Sequence, residues 1–235
     1  MFYGHSNRLR GLLAEFGCVV PQSDAALRHA LADLPAHDLP AELMELLADL
    51  NSHWHQVQER IAASDRRIEQ HAKADERCRR TRAIIGVGAL TADALVATIG
   101  DGRDFRNGRQ LSAWLGLTPS QHSSGGKTRL GGITCRGDGY LRTLLIQGAR
   151  AVLAAAKRAH AAGKPLDRLR TWAVALAERR GFNKAAVGLA NKMVRIIWAT
   201  WHHARSFDGD YGKRFDQEIA MSNAYERNMW TLSKA

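Results

Sequence analysis

"RAIIGVGALTADALVATI", residues 82–99, decides how the rest of this chain is read. Apolar residues alternate with glycine, and a run of small helix-forming residues follows. The pattern predicts two helices joined by a tight GVG turn. Gly86 and Gly88 admit backbone geometry closed to other residues. Lacking side chains, they also let backbone N–H groups approach a phosphate, with the N-terminus of the next helix behind them. This is the helix–hairpin–helix arrangement, here over about 82–100, which grips a DNA backbone without reading its sequence. An αα-turn that binds nothing fits the same residues, and both readings stay open at this level.

Upstream, "NRLRGLLAEFG" (residues 7–17) reads as a short amphipathic helix stopped by Gly17. "VVPQSD" breaks the chain, and Ser23 or Asp24 can cap the next helix. From Pro40 to Arg80 one long helix is expected, with Leu43, Leu46, Leu47, Leu50, Trp54, Val57, Ile61 and Ile68 near helical spacing and charge elsewhere. That suits a helical hairpin or a coiled-coil linker. His53, His55 and His71 read as surface residues of it. Downstream, "DFRNGRQLSAWLGL" pairs an apolar set (Phe105, Leu111, Trp114, Leu115) with Arg103, Arg106 and Arg109. Three helices follow. The first turns Leu141, Leu144, Leu145, Gly148 and Val152 to one face. The second stops at Gly181. The third, capped by Asn183, carries Val187, Met193, Val194, Ile197, Trp198 and Trp201 inward. The helical spacing of its tryptophans favours core over a base-stacking platform. The fold class is mainly α: a helical linker over 1–80, a compact helical domain over 81–208, and a polar tail over 209–235.

Charge is unevenly spread over the 235 residues, whose net is +11. Residues 1–76 carry 7 Lys and Arg against 12 Asp and Glu, whereas residues 77–150 carry 12 against 4. A basic block of this kind points to a polyanionic partner, a nucleic acid, over a merely solvated surface. No apolar run is long enough to span a bilayer, and the first residues lack the apolar core of a signal peptide. Cys18, Cys78 and Cys135 form no CxxC pair, which argues against zinc and against a disulfide framework. A cytoplasmic, nucleoid-associated setting is the expectation.

The open stretch is "PSQHSSGGKTRLGGITCRGDGYLR", residues 119–142, with a loop expected over about 119–139. It offers the hydroxyls of Ser123 and Ser124, Gly125 and Gly126 for close approach, and Lys127, Arg129, Arg136 and Arg142 as cations. Such a set serves either as a passive phosphate grip or as a site of phosphoryl transfer, where cations stabilise the negative charge of the transition state. His122 is the only nearby base. A serine that attacks a phosphodiester keeps the ester bond in a phosphoserine for later rejoining.

Residues 111–150, "LSAWLGLTPSQHSSGGKTRLGGITCRGDGYLRTLLIQGAR", resemble the C-terminal domain of the Piv/MooV-like DEDD insertion-sequence transposases, understood as serine recombinases guided by a bridge RNA. "IIGVGALTADALVATIGD", "NRLRGLLAEFG" and "NKAAVGLANKMVRIIWA" are similar to that family's hairpin, linker helix and terminal helix, so the likeness spans about 7–208. The resemblance implies that Ser124, directly before the glycines, is the nucleophile, with Ser123 the alternative. It implies DNA and a guide RNA as partners, and self-association through the helices of 1–80. Two positions depart from the family: Ile85 stands where proline is usual, and Cys135 where a basic residue is common. Full members also carry a RuvC-like domain whose acidic residues hold Mg2+, and residues 1–76 lack its pattern. No metal ligands are therefore expected in this chain, and Mg2+ only on that other domain.

Three readings follow. The chain is the serine-bearing, DNA-binding part of a transposase, incomplete and inactive alone. Or it is a catalytically inactive nucleic-acid-binding remnant. Or it is a helical interaction protein with a solvated basic face.

Overall fold

The computed structural model describes residues 3–33, 39–122, 129–203 and 207. Ser123, Ser124, Gly125, Gly126, Lys127 and the tail beyond 207 lie outside the described residues. The architecture is mainly α. In chain order the helices are α1 (Tyr3–Glu15), α2 (Asp24–Ala32), α3 (Ala41–Ala74), α4 (Glu76–Arg82), α5 (Ala89–Ile99) and α6 (Gly108–Trp114). A two-stranded sheet, β1 (Pro119–Gln121) and β2 (Leu130–Ile133), precedes α7 (Gly139–Ala161), α8 (Arg168–Arg180) and α9 (Phe182–His202). The chain divides into two compact units, Met1–Arg67 and Ile68–Ala235, and the division falls inside α3. No helix among the described residues is long and apolar enough to cross a membrane.

In the first unit α1 ends at Gly17, whose φ of +84° lets the chain fold back so that the Cys18 N–H reaches the Leu13 carbonyl. Ser23 caps α2, its hydroxyl accepting from the Ala26 N–H at 3.1 Å. Leu9, Leu13, Leu27, Leu43, Leu47 and Trp54 form one buried cluster. These residues come from α1, α2 and α3. Leu46 and Ile61, read as part of the same apolar stripe, are exposed.

The long helix expected to run on to Arg80 is broken at Asp75. This residue is extended (φ −78°, ψ 125°), and its carboxylate accepts from the N–H groups of Arg77 and Cys78, so it starts α4 rather than continuing α3. The Arg77 guanidinium closes on the same carboxylate and, with the two amides, holds its pKa down to about 2.

The second unit is built around α9, which packs against α4, α6, α7 and α8. Ala185, Ala186, Leu189, Ala190, Met193, Val194, Ile197 and Trp201 are buried along it. Val187 and Trp198, expected inward, are only half-buried. Both tryptophans belong to the packing. The Trp201 indole donates to the Thr81 hydroxyl at 2.7 Å, and the Trp198 indole to the Phe105 carbonyl at 2.9 Å. On α7 the buried face is Leu141, Leu145, Ala149, Leu153 and Ala156, rotated slightly from the expected one, so that Leu144 and Val152 sit at its margin. Gly148 lies where a Cβ would stand 2.0 Å from the Gly86 carbonyl oxygen, backbone against backbone. Between α8 and α9 there is one residue, Gly181 (φ +83°), which both ends the first helix and begins the second. Asn183 therefore sits inside α9 rather than capping it, and its side chain accepts from Arg150 at 3.1 Å.

Candidate nucleic-acid interface

The stretch read as an open loop is flanked by a β-hairpin. β1 and β2 pair antiparallel, Pro119 opposite Ile133 and Gln121 opposite Leu130, with a bulge between. The Ser120 hydroxyl donates to the Gly132 carbonyl at 3.1 Å, and the His122 N–H donates to the Arg129 carbonyl at 2.9 Å. Residues 122 and 129 are thereby paired across the ribbon, and they are the two attachment points of the segment 123–128 that carries both serines. The strands escape sequence reading because each is short, and four of the seven residues are Gly, Pro or Ser.

The base of the hairpin is a joint between α6 and α7. The Thr134 N–H donates to Thr118 and the Cys135 N–H to Gly116. A Cβ on Gly137 would fall 1.9 Å from the Trp114 carbonyl oxygen, and one on Gly116 2.0 Å from that of Arg136. Both glycines have positive φ, so neither the space nor the conformation admits another residue. Asp138 caps α7 by accepting from the Tyr140 and Leu141 N–H groups. Arg142 then reaches back one turn, and its guanidinium donates to the Leu115 carbonyl at 3.1 Å. Named as a phosphate contact from sequence, Arg142 is engaged in holding this joint.

The other predicted contacts fall into two sets. Gly86 is half-buried, and a Cβ there would meet Val152 at 2.7 Å and the Gly148 carbonyl at 3.0 Å, so its bareness serves the packing of α7. Gly88 is exposed, has open space around it, and starts α5 with no side chain capping the helix. Arg129 and Arg136 are exposed beside the hairpin, as are Arg106 and Arg109 near α6. Arg106, Arg109 and Arg136 pair with no acid among the described residues. Three large apolar side chains, Trp114, Leu130 and Tyr140, are exposed on the same segment of chain. Guanidinium groups interleaved with exposed aromatic rings suit both the charge and the stacking faces of a nucleic acid. His122, the one candidate base, is exposed.

Sequence reading missed two features. One is a groove of about 460 Å³ between the hairpin base, α8 and α9, floored by Leu117, Ile133, Val187 and Ile196 and bordered by Lys184, Lys192 and Arg195. The Lys192 ammonium lies 4.6 Å from the centre of the Trp172 ring. The other is a set of three donor groups, His71, Cys78 and Asp93, whose ligand atoms lie within 4.8 Å of one another. Their separations in the chain match no short motif, since each comes from a different helix.

A mainly helical unit with a basic, glycine-jointed hairpin defines the class of architecture. Residues 78–164, which include α4, the GVG turn, the hairpin and α7, match the Transposase IS116/IS110/IS902 family. The chain is 45% identical over 198 residues to a protein of Pseudomonas aeruginosa named "Probable family 20 transposase", covering 82% of this chain and 56% of that protein. It is 41% identical over 196 residues to the "Transposase for insertion sequence element IS1111A" of Coxiella burnetii, covering 82% and 52%. Against the "Transposase for insertion sequence element IS1328" of Yersinia enterocolitica it is 37% identical over 194 residues, covering 82% and 56%. The chain thus spans about half the length of the curated relatives it matches.

Proposed function

We propose that this chain is the DNA-engaging, serine-bearing part of an insertion-sequence transposase of the Piv/MooV-like type. The observation that carries the reading is the β-hairpin. Its strands lead to residues 122 and 129, between which the sequence carries Ser123 and Ser124, and Arg129 and Arg136 are exposed. Ser124 attacks a phosphorus of the DNA backbone. Its Oγ–P bond forms, one P–O ester bond breaks, and the departing strand leaves as a hydroxyl. A second strand end reverses the step on the phosphoserine, so no external energy source is needed. Lys127, Arg129 and Arg136 neutralise the phosphate, Gly125 and Gly126 permit its approach, and Gly88 offers backbone N–H groups at the start of α5. Gly86 and Arg142 keep the shape of the two turns that carry these groups.

A serine hydroxyl at neutral pH needs a base or a metal to activate it. Mg2+ belongs to the acidic domain of the full-length type and not to the residues of this chain, so the isolated chain binds DNA without cutting it. The helices of 1–80 pair with a second copy, and a guide RNA shares the basic surface.

The test is a denaturing-gel search for a protein–DNA adduct. Substrates are insertion-sequence ends with Mg2+, with and without the N-terminal part of a relative supplied in trans. An adduct that vanishes in Ser124→Ala supports the reading, and one that persists moves the role to Ser123. Salt-dependent binding with no adduct under any condition leaves the inactive nucleic-acid-binding remnant. Affinity that does not fall linearly with log salt removes DNA as the partner.

A further inference from the structure

Within the second unit the end of α3 meets α4 and α5 at a point that the transposition reading leaves unused. His71 lies in the last turn of α3, Cys78 on α4, and Asp93 on α5. Nδ1 of His71 is in contact with Oδ1 of Asp93, and the donor atoms of all three residues lie within 4.8 Å of one another. Cys78 is fully buried, whereas 57% of the His71 side chain is exposed. We propose that His71, Cys78 and Asp93 hold a divalent cation of borderline softness, zinc by preference, which staples α3, α4 and α5 together below the GVG turn.

The donor chemistry selects the ion. One imidazole nitrogen, one sulfur and one carboxylate oxygen match zinc, whereas magnesium and calcium require oxygen shells. Ligands at tetrahedral zinc distances sit roughly 3.5 Å apart. The exposed His71 ring is free to close that remaining gap, and its open side leaves the fourth position to solvent.

The surroundings favour a cation there. The arginines of α4 are already matched by acids: Arg77 with Asp75, Arg79 and Arg80 with Glu76, and Arg82 with Glu69. Asp93 is left facing a histidine rather than a fixed positive charge. The helix break at Asp75 gives the site a purpose. The helix stops there, and an ion shared by His71, Cys78 and Asp93 ties the last turn of α3 to α4 and α5.

The experiment uses the full chain without a histidine tag and with Cys18→Ser and Cys135→Ser, so that Cys78 is the sole thiol. Cobalt(II) is the probe, displaced afterwards by zinc. The expected result is about one ion per chain. It carries a sulfur-to-cobalt charge-transfer band and the intense visible bands of a tetrahedral site. Cys78→Ser abolishes the charge-transfer band, and His71→Ala weakens zinc binding by at least about 100-fold. His71 is at the surface, so its variant keeps the fold even if the buried Cys78 variant does not. Cobalt uptake no greater than that of the His71→Ala chain, or bands unchanged by that substitution, overturns the proposal.

Discussion

Replacing Gly148 by alanine tests the central packing of the second unit. The added Cβ would stand 2.0 Å from the carbonyl oxygen of Gly86 and 3.1 Å from its carbonyl carbon. A carbon and an oxygen in ordinary contact are about 3.3 Å apart. The GVG turn and α7 must then separate by more than an ångström. Both sides are backbone, so no side chain can rotate to give way. Overpacking of a tight interior costs about 1–3 kcal/mol, and here the upper end applies. Alanine in a helix interior returns about 1 kcal/mol relative to glycine. The expected net loss is about 2 kcal/mol, seen as a fall in melting temperature of about 4–8 °C for a unit of this size. Urea titration followed by tryptophan fluorescence measures it directly. The control is Gly88→Ala, where nothing lies within 4 Å of the new Cβ and the expected loss is at most about 1 kcal/mol, that of alanine in place of glycine at a helix N-cap. A Gly148→Ala chain as stable as the parent, or stabilised by the helix term alone, would refute the close approach of α7 to the turn.

Arg136→Ala should flatten the dependence of log DNA affinity on log salt by about one unit with stability unchanged, as titrations at several salt concentrations will register. Arg142→Ala should do the reverse, leaving the slope and lowering the unfolding midpoint, because its guanidinium binds the Leu115 carbonyl. Trp201→Phe removes the donor that meets the Thr81 hydroxyl inside the core and should cost about 1–2 kcal/mol in chemical denaturation. The carboxyl of Asp75 is held at about 2 by Arg77 and two backbone amides. A depressed carboxylate stabilises the fold above its unfolded value, near pH 4, and loses that contribution as pH falls toward 2. Asp75→Asn should therefore lower stability at pH 7 and flatten the acid limb of a pH–stability curve between those values.

Much of the helical frame was legible because caps and stops are local. Gly17, Ser23 and Gly181 act at their own positions, and the structure uses each where the sequence placed it. Asp75 was equally local but was passed over. The charges around it fit a helix face, and only its accepted N–H bonds reveal a second start. The hairpin was hidden for a different reason. Its strands hold few β-formers, and their base depends on Gly116 touching the backbone of Arg136 and Gly137 that of Trp114, contacts between distant points of the chain. No periodicity encodes such a contact. Of the residues picked out for phosphate, Gly88, Arg129 and Arg136 stand exposed, while Gly86 and Arg142 turn to the protein itself. Sequence supplies the chemistry of a side chain but not its direction. The groove beside Trp172 and the donor trio of His71, Cys78 and Asp93 needed several helices brought together.

The single-residue joint at Gly181 bears on which length changes the chain can absorb. Each residue added to a helix turns everything beyond it by about 100°. An insertion between α8 and α9 would swing Met193, Ile197 and Trp201 toward solvent and bring charged neighbours inward. Homologous chains should therefore keep strict length at this joint.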